Sequence, residues 1–241
     1  MFLSIAIPCH NEAGNLDLLL DEIVAAMSGR DYEILVIDDG STDNTADIIR
    51  ARAKTLASLR FLQHDKAAGQ SAALRTAAFA ARGKILLTRD GDGQNDPAYL
   101  PQLADALTAA GESYGIAAGQ RLKRTDTRLK QLSSRFANGL RRAILKDDTR
   151  DTGCGLKAIY TELFRRLPFF NGWHRYLPAL VLREGYHVTH IDVVDRSRRH
   201  GQSKYGIFDR AAAGILDLIG VWWLRRRCKR VPEVQEISLD K

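Results

Sequence analysis

Over the first half of the chain, short apolar runs alternate with stretches of helical periodicity, and polar turns divide them. Phe2 to Ile7 is an apolar run stopped by Pro8 and reads as a buried strand. Leu16 to Met27 has leucines at helical spacing and ends near Gly29. Tyr32 to Ile37 predicts a second strand, followed by the turn-rich Asp38-Asp39-Gly40-Ser41. Ser41 or Thr42 is placed to cap a helix running to about Ala57. Leu59 to Gln63, Lys84 to Thr88 and Tyr114 to Ala118 predict three more strands. Between them lie an alanine-rich helix, Ser71 to Ala81, and a helix opened by Pro97 at its first turn. Alternating strand and helix with short loops predicts an α/β fold with a mostly parallel sheet and helices on both faces.

The second half is less regular. The spacing predicts a loop leading into a helix over Arg121 to Lys146, a turn at Asp151 to Gly155 and a strand from Val188 to Val194. Ile207 to Leu224 predicts an amphipathic helix, with Ile215, Leu218, Ile219 and Trp222 on one stripe. Expected divisions are a catalytic domain over 1–204, an interfacial helix with a basic cluster over 205–230, and a disordered polar tail over 231–241.

Composition excludes some classes. With 241 residues, 45% hydrophobic and 27% charged, the chain is globular. Three scattered cysteines form neither a disulfide framework nor a Cys-x-x-Cys pair, which fits a reducing compartment. The late apolar run Ala211 to Leu224 is too short for a membrane span, and the first residues lack the pattern of a signal peptide.

The net charge of +7 is local. Arg196 to Arg230 holds ten Lys or Arg against Asp209 and Asp217, leaving the rest of the chain near −1. Such a distribution implies an anionic partner met in one place.

Ligands of parallel sheets bind at the carboxyl ends of strands. Three such ends carry polar clusters here: His10-Asn11-Glu12, Asp38-Asp39, and Asp90-Gly91-Asp92. One cluster alone is ordinary turn chemistry, but three together favour a site. Two carboxylates two residues apart, with Gln94 nearby, suit a hard divalent cation that neutralises a leaving diphosphate. Carboxylates of the Asp38-Asp39 turn suit a base N–H or ribose hydroxyls. No Gly-x-Gly-x-x-Gly, phosphate-binding loop or Gly-x-Ser-x-Gly motif is present.

Four segments together resemble the family-two GT-A glycosyltransferases. They are Ile7 to Glu12, Val36 to Asp43, Gly69-Gln70-Ser71-Ala72-Ala73-Leu74, and Asp90-Gly91-Asp92-Gly93-Gln94. Arg150 to Gly155, His174 to Leu180 and Arg198 to Tyr205 narrow the resemblance to the polyprenyl-phosphate sugar synthases, the dolichyl-phosphate mannose synthase-like branch. It covers roughly residues 2–227. The chain departs from it at Lys66-Ala67-Ala68, where many members place an Asn, and at Gly91, where Ala is common.

The resemblance implies a Rossmann-like GT-A fold. It implies inverting, metal-dependent transfer of a sugar from a nucleotide-sugar donor to an undecaprenyl- or dolichyl-type phosphate. Pro8, Asn11, Glu12, Asp38, Asp39 and Gln70 would bind the nucleotide sugar. Asp90, Asp92 and Gln94 would hold Mg2+ or Mn2+. Arg121, Lys130, Ser134, Arg198, Ser203 and Lys204 would bind the acceptor phosphate. That acceptor is anionic near neutral pH, so no protein base is needed, and His10, His174 and His200 read as structural or substrate-contacting. A sugar hydroxyl, as in a soluble or cell-envelope saccharide acceptor, would need a carboxylate base, for which Asp151 is the candidate; a cap or an Arg partner is its other reading.

Trp222 and Trp223 with Arg225, Arg226 and Arg227 predict contact with a membrane surface. The expected place is therefore peripheral, on the cytoplasmic face of the membrane, with room for a small membrane protein subunit. Nucleic acid is disfavoured, because three acidic strand ends would repel it and aromatics are not interleaved with the basic residues.

Overall fold

The computed structural model describes residues 2–122, 139, 141–196, 207–229, 232 and 235, with only the backbone considered for 207–213. Lys130, Ser134, Arg198, Ser203 and Lys204, expected at the acceptor phosphate, and nearly all of the tail lie outside these residues.

Seven strands form one sheet in the order β3-β2-β1-β4-β6-β5-β7. They are β1 (Leu3–Cys9), β2 (Tyr32–Asp38), β3 (Leu59–Gln63), β4 (Ile85–Thr88), β5 (Tyr114–Arg121), β6 (Lys157–Tyr160) and β7 (His187–Val193). All pairings are parallel except those of β6, which runs antiparallel to both β4 and β5. The helices are α1 (Ala13–Ala26), α2 (Thr45–Ala53), α3 (Gln70–Ala80), α4 (Tyr99–Ala110), α5 (Thr161–Arg166), α6 (Leu177–Arg183) and α7 (Ile207–Arg226). A short 3-10 turn spans Trp173–Arg175.

Strand alternation divides the core between two faces. Ile5, Ile7, Ile34 and Val36 pack with Leu16, Leu20 and Ile23 of α1, Ile49 of α2 and Leu100, Leu103 and Leu107 of α4. Ala6, Leu35, Ile37 and Leu86 pack with Leu74 and Ala77 of α3, Phe164 of α5, Leu180 of α6 and Val221 of α7. Helices therefore cover both faces, as the α/β pattern predicts.

Several boundaries differ from the sequence reading. β1 continues through Pro8 to Cys9. Its pairing with β4 ends at Ala6, so the missing Pro8 N–H falls where no strand lies on that side. α2 begins at Thr45 rather than after Ser41 or Thr42. Those two residues are held by the preceding turn: Ser41 N–H donates to Asp38 and Thr42 N–H to Asn11. α4 starts at Tyr99, two residues after Pro97, and Asp96 accepts the Ala98 N–H just before it. β6, α5 and α6 follow no periodicity noted in the sequence.

α7 packs one side inward and leaves another bare. Val221 is buried, and Leu218 and Leu224 pack beside it against the core, so Leu218 departs from the expected stripe. Ile215, Leu216, Ile219, Trp222 and Trp223 are exposed. Arg183 of α6 donates to the Leu224 carbonyl, and the Tyr176 hydroxyl donates to the Gly214 carbonyl, fixing the helix in place.

Candidate active site

The carboxyl ends of β1, β2 and β4 lie side by side, because these strands are neighbours in the sheet. β6 adds to the same edge. It is antiparallel, so its first residue, Lys157, pairs with Thr88 at the last position of β4.

After β1 the chain turns at Asn11, which has a positive φ of 57°. Asparagine tolerates this conformation because its short polar side chain bonds locally. Here Asn11 Oδ1 accepts the backbone N–H groups of Thr42 (2.7 Å) and Asp43 (3.3 Å). Thr45 Oγ1 accepts the Glu12 N–H, and Glu12 accepts from the Asn15 side chain. His10 Nδ1 lies 2.7 Å from the Asp39 carbonyl. The first two strand ends are thus tied to each other.

The two carboxylates after β2 divide. Asp38 is fully buried and accepts from the Ser41 N–H and from Gln63 Nε2. It anchors the turn after β2. Asp39 accepts the backbone N–H groups of Ala68 (2.9 Å) and Gly69 (2.7 Å), and contacts His64 Nδ1 at 2.7 Å. Desolvation pushes its carboxyl up, but these bonds outweigh it and hold Asp39 below the ordinary range. The segment at Lys66-Ala67-Ala68, without the resemblance's Asn, is therefore fixed through its backbone.

That segment delivers Gln70 to the third strand end. Gln70, the first residue of α3, donates through Nε2 to Asp90 Oδ1 at 2.7 Å. Asp92 accepts the Gln94 N–H. Desolvation first, and then the like charge of Asp92, push Asp90 up to about 6, against the pull of Lys157, Arg89 and Arg121. The Asp90 carboxylate lies against Gly155, where a Cβ would fall 2.5 Å from Oδ2. Gly91 is also close: a Cβ there would meet Cys9 Sγ and the Pro8 carbonyl at 3.0 Å.

Behind these carboxylates is a network of charged groups. Arg121 makes a two-pronged pair with Asp151, through Nε and through Nη2 at 2.9 Å, and reaches Asp195 at 3.2 Å. Asp151 also accepts the Gly153 N–H. A carboxylate held on both oxygens by a guanidinium is an anchor and a poor proton acceptor. Arg121 in turn pairs with two carboxylates, Asp151 and Asp195. The candidate base and the candidate phosphate ligand are thus partners of each other.

Residues without a sequence signal complete the site. Asn95 accepts the Asp90 N–H at 3.4 Å and donates to Asp195 at 3.1 Å, joining the metal-type motif to the Arg121 pair. Lys157 is buried and donates to the Cys154 carbonyl. Desolvation lowers its pKa, and Asp90 and Asp151 oppose that. Arg89 is buried and donates to the Asn95 carbonyl, while its Nε and Nη1 have no hydrogen-bond partner among the described residues. Ser71 Oγ bridges the Gly172 N–H (2.9 Å) and His174 Nδ1 (2.8 Å), and burial lowers His174 to about 3, so it stays neutral. A lysine opening a four-residue strand, and a serine bonded across about a hundred residues, leave no trace in local pattern.

The basic segment is already partly neutralised inside the chain, since Arg196 pairs with Glu22 and Asp96 at 2.8 Å each.

Comparison with known proteins agrees with this geometry. The chain is 32% identical to dodecaprenyl-phosphate galacturonate synthase of Rhizobium johnstonii, over 93% of this chain and 67% of that protein. It is 31% identical to undecaprenyl-phosphate 4-deoxy-4-formamido-L-arabinose transferase of Edwardsiella ictaluri, over 86% of this chain and 63% of that one. The chain thus spans about two thirds of the length of these curated relatives. Among solved structures, glucosyl-3-phosphoglycerate synthase of Mycobacterium tuberculosis in complex with phosphoglyceric acid superposes with a TM-score of 0.70. That match covers 94% of this chain and 80% of the other at 23% identity, a likeness of fold. The same enzyme is known in complex with Mn2+ and uridine-diphosphate-glucose. Residues 4–168 match the description "Glycosyl transferase family 2", and with its GT-A-like sheet the chain belongs to that glycosyltransferase family.

Proposed function

We propose that this chain transfers a sugar from a nucleotide diphosphate to a polyprenyl phosphate at a membrane surface. The observation that carries the reading is the Asp90-Gly91-Asp92 turn at the carboxyl end of β4, set by Gln70. Two relatives whose names specify dodecaprenyl and undecaprenyl phosphate support the acceptor class.

The donor set fits a divalent cation. Asp90 and Asp92 offer hard oxygens whose like charges repel each other. Among the described residues, no three His, Cys, Asp or Glu side chains group closely enough to hold an ion alone. Asp90, Asp92 and Gln94 would hold Mg2+ or Mn2+ together with a diphosphate. Bound there, the ion neutralises charge on the departing nucleoside diphosphate.

The chain's residues do the positioning. Asn11, Glu12 and Asp39 fix the loops around the nucleoside, with Pro8 at the end of β1. Asp38 sets the turn beneath them. Gln70 orients Asp90, and the Arg121–Asp151 pair holds the loop that carries Gly155 against it. The acceptor phosphate is anionic and attacks the anomeric carbon with inversion; catalysis rests on orientation and charge stabilisation rather than on proton removal. Acceptor-phosphate binding belongs to Lys130, Ser134, Arg198, Ser203 and Lys204, and Arg121 acts through Asp151 and Asp195.

No helix among the described residues is long and apolar enough to cross a membrane. The exposed face of α7 supports a peripheral place on the bilayer: Trp222 and Trp223 suit the interface, while Arg225, Arg226 and Arg227 suit anionic headgroups. Arg226 lies 5.0 Å over the Trp222 ring, pairing the two chemistries. A small membrane protein subunit is compatible with the same surface.

The test is product extraction after incubation with labelled nucleotide sugars, a short polyprenyl phosphate and Mn2+ or Mg2+. Label entering the organic phase supports the reading. Label confined to a water-soluble saccharide would replace the acceptor class and leave the family standing.

A further inference from the structure

Two exposed phenylalanines lie on the sheet face that also carries α7. Phe79, in the last turn of α3, is 58% exposed, and Phe169, after α5, is 42% exposed. Arg75 sits between them, its guanidinium carbon 5.4 Å from the Phe79 ring centre and 4.4 Å from that of Phe169. Among the described residues Arg75 forms no ion pair. Arg75 is half-buried and stacks on two exposed rings, and among the described residues it makes no contact with the strand ends that form the site.

The cluster is continuous with α7. Phe169 meets Trp173 edge-on at 5.5 Å, Phe170 lies 6.1 Å from Tyr176, and the Tyr176 hydroxyl donates to Gly214 of α7 at 3.1 Å. Gly172 rests against Asp217 of the same helix. One short segment, 169–176, therefore separates two exposed patches of the same composition. Each combines aromatic rings with a stacked arginine: Phe79, Phe169 and Arg75 on one side, Trp222, Trp223 and Arg226 on the other.

We propose that Phe79, Phe169 and Arg75 form a second contact with an anionic bilayer, beside α7. The inference rests on the membrane reading of α7 and extends the interface to a surface that reading does not use. Rings of this kind settle at the headgroup boundary, and guanidinium groups there pair with lipid phosphate. A second copy of the chain fits less well, because pairing these faces would bring arginines against arginines.

The experiment places a polarity-sensitive dye on a single introduced cysteine in the full chain carrying Cys228→Ser. One chain has Phe79→Cys and another has Leu216→Cys, on α7. Each is mixed with phosphatidylglycerol–phosphatidylcholine vesicles and with phosphatidylcholine vesicles alone. The expected result is a blue shift at both positions with the anionic vesicles. A shift at 216 without one at 79 overturns the second contact and keeps the membrane reading. No shift at either position overturns both. A shift at 79 without vesicles, rising with protein concentration alongside a dimer in sedimentation, overturns the lipid assignment in favour of self-association. Arg75→Gln is expected to weaken binding to anionic vesicles about fivefold and to leave binding to neutral vesicles unchanged; equal binding to anionic vesicles would remove Arg75 from the contact.

Discussion

The two ends of the central sheet treat buried charge in opposite ways. At the amino end, Glu33 is buried, yet each oxygen has donors. Ser4 Oγ and the Arg82 N–H reach one oxygen at 2.7 Å each, and Arg60 reaches the other at 2.6 Å. Ser4 in turn accepts the Gly83 N–H. Desolvation pushes Glu33 up, and these bonds more than compensate, holding it below its ordinary value. At the carboxyl end, Asp90 is held above its ordinary value, with Asp92 of the same sign nearby and Arg89 incompletely bonded. One end stabilises the fold; the other retains electrostatic tension that a charged ligand can relieve.

Mutations should separate these roles, and the largest effect belongs to the carboxyl end. Asp92→Ala is expected to lower sugar transfer roughly a thousandfold. Melting should stay unchanged or rise, because a repulsion with Asp90 is removed. Radiolabel transfer and thermal unfolding measured on one preparation check both halves; full activity would end the assigned metal role.

Glu33→Ala should do the reverse. It leaves Ser4 and the Arg82 N–H without their acceptor and Arg60 with only the Ala80 carbonyl, and costs about 3 kcal/mol of stability, read from denaturant midpoints. The KM for the nucleotide sugar should not move. The two ends also differ in the sign of their pH dependence. Glu33 contributes stability that is present above its ordinary value of 4.5 and lost as pH falls through its lower folded value. Asp90 contributes in the other direction: stability in metal-free buffer falls as pH rises from 3.8 to about 6. Glu33→Gln should flatten the first slope and Asp90→Asn the second in unfolding curves taken across pH.

Gly155→Ala tests whether the carboxyl end tolerates displacement. The added methyl falls 2.5 Å from Asp90 Oδ2 and 2.6 Å from its Cγ, a side-chain rather than a backbone clash, so the carboxylate should be displaced from Gln70. Transfer is expected to fall about 10- to 100-fold, with a higher Mn2+ requirement and less than about 1 kcal/mol lost in stability. The smallest effect belongs to neither end. Arg30 and Asp105 pair on the surface at 2.7 Å, and Arg30→Ala should change stability by no more than about 0.5 kcal/mol.

The alternation of strands and helices was readable because both periods are local, and the strand ends bearing Asn11, Asp39 and Asp90 followed from it. What escaped depended on long-range pairing. β6 is four residues long, starts with a charged lysine and runs against its neighbours, so neither length nor alternation marks it. Asp38 and Asp39 are adjacent and chemically equal. Only the pleat decides that Asp38 goes inward to Gln63 while Asp39 holds the Ala68–Gly69 loop. Arg121 and Asp151 were each legible as chemistry, but their bond spans thirty residues, and the bond determines what either can do. On α7 the aromatic and basic composition was plain, whereas the assignment of Leu218 to the inner side needed its packing against the core.

The alanine-rich helix α3 acts as a ruler. Gln70 at one end grips Asp90, and Phe79 at the other is exposed. Nine residues at about 1.5 Å each set an axial span of roughly 14 Å between Gln70, beside Asp90, and the surface that Phe79 presents. A single inserted residue would rotate Phe79 by about 100° relative to Gln70, and four would restore its face while lengthening the span by about 6 Å. Insertions that the outer loops absorb should therefore be the ones this helix rejects, because its length is itself a specification.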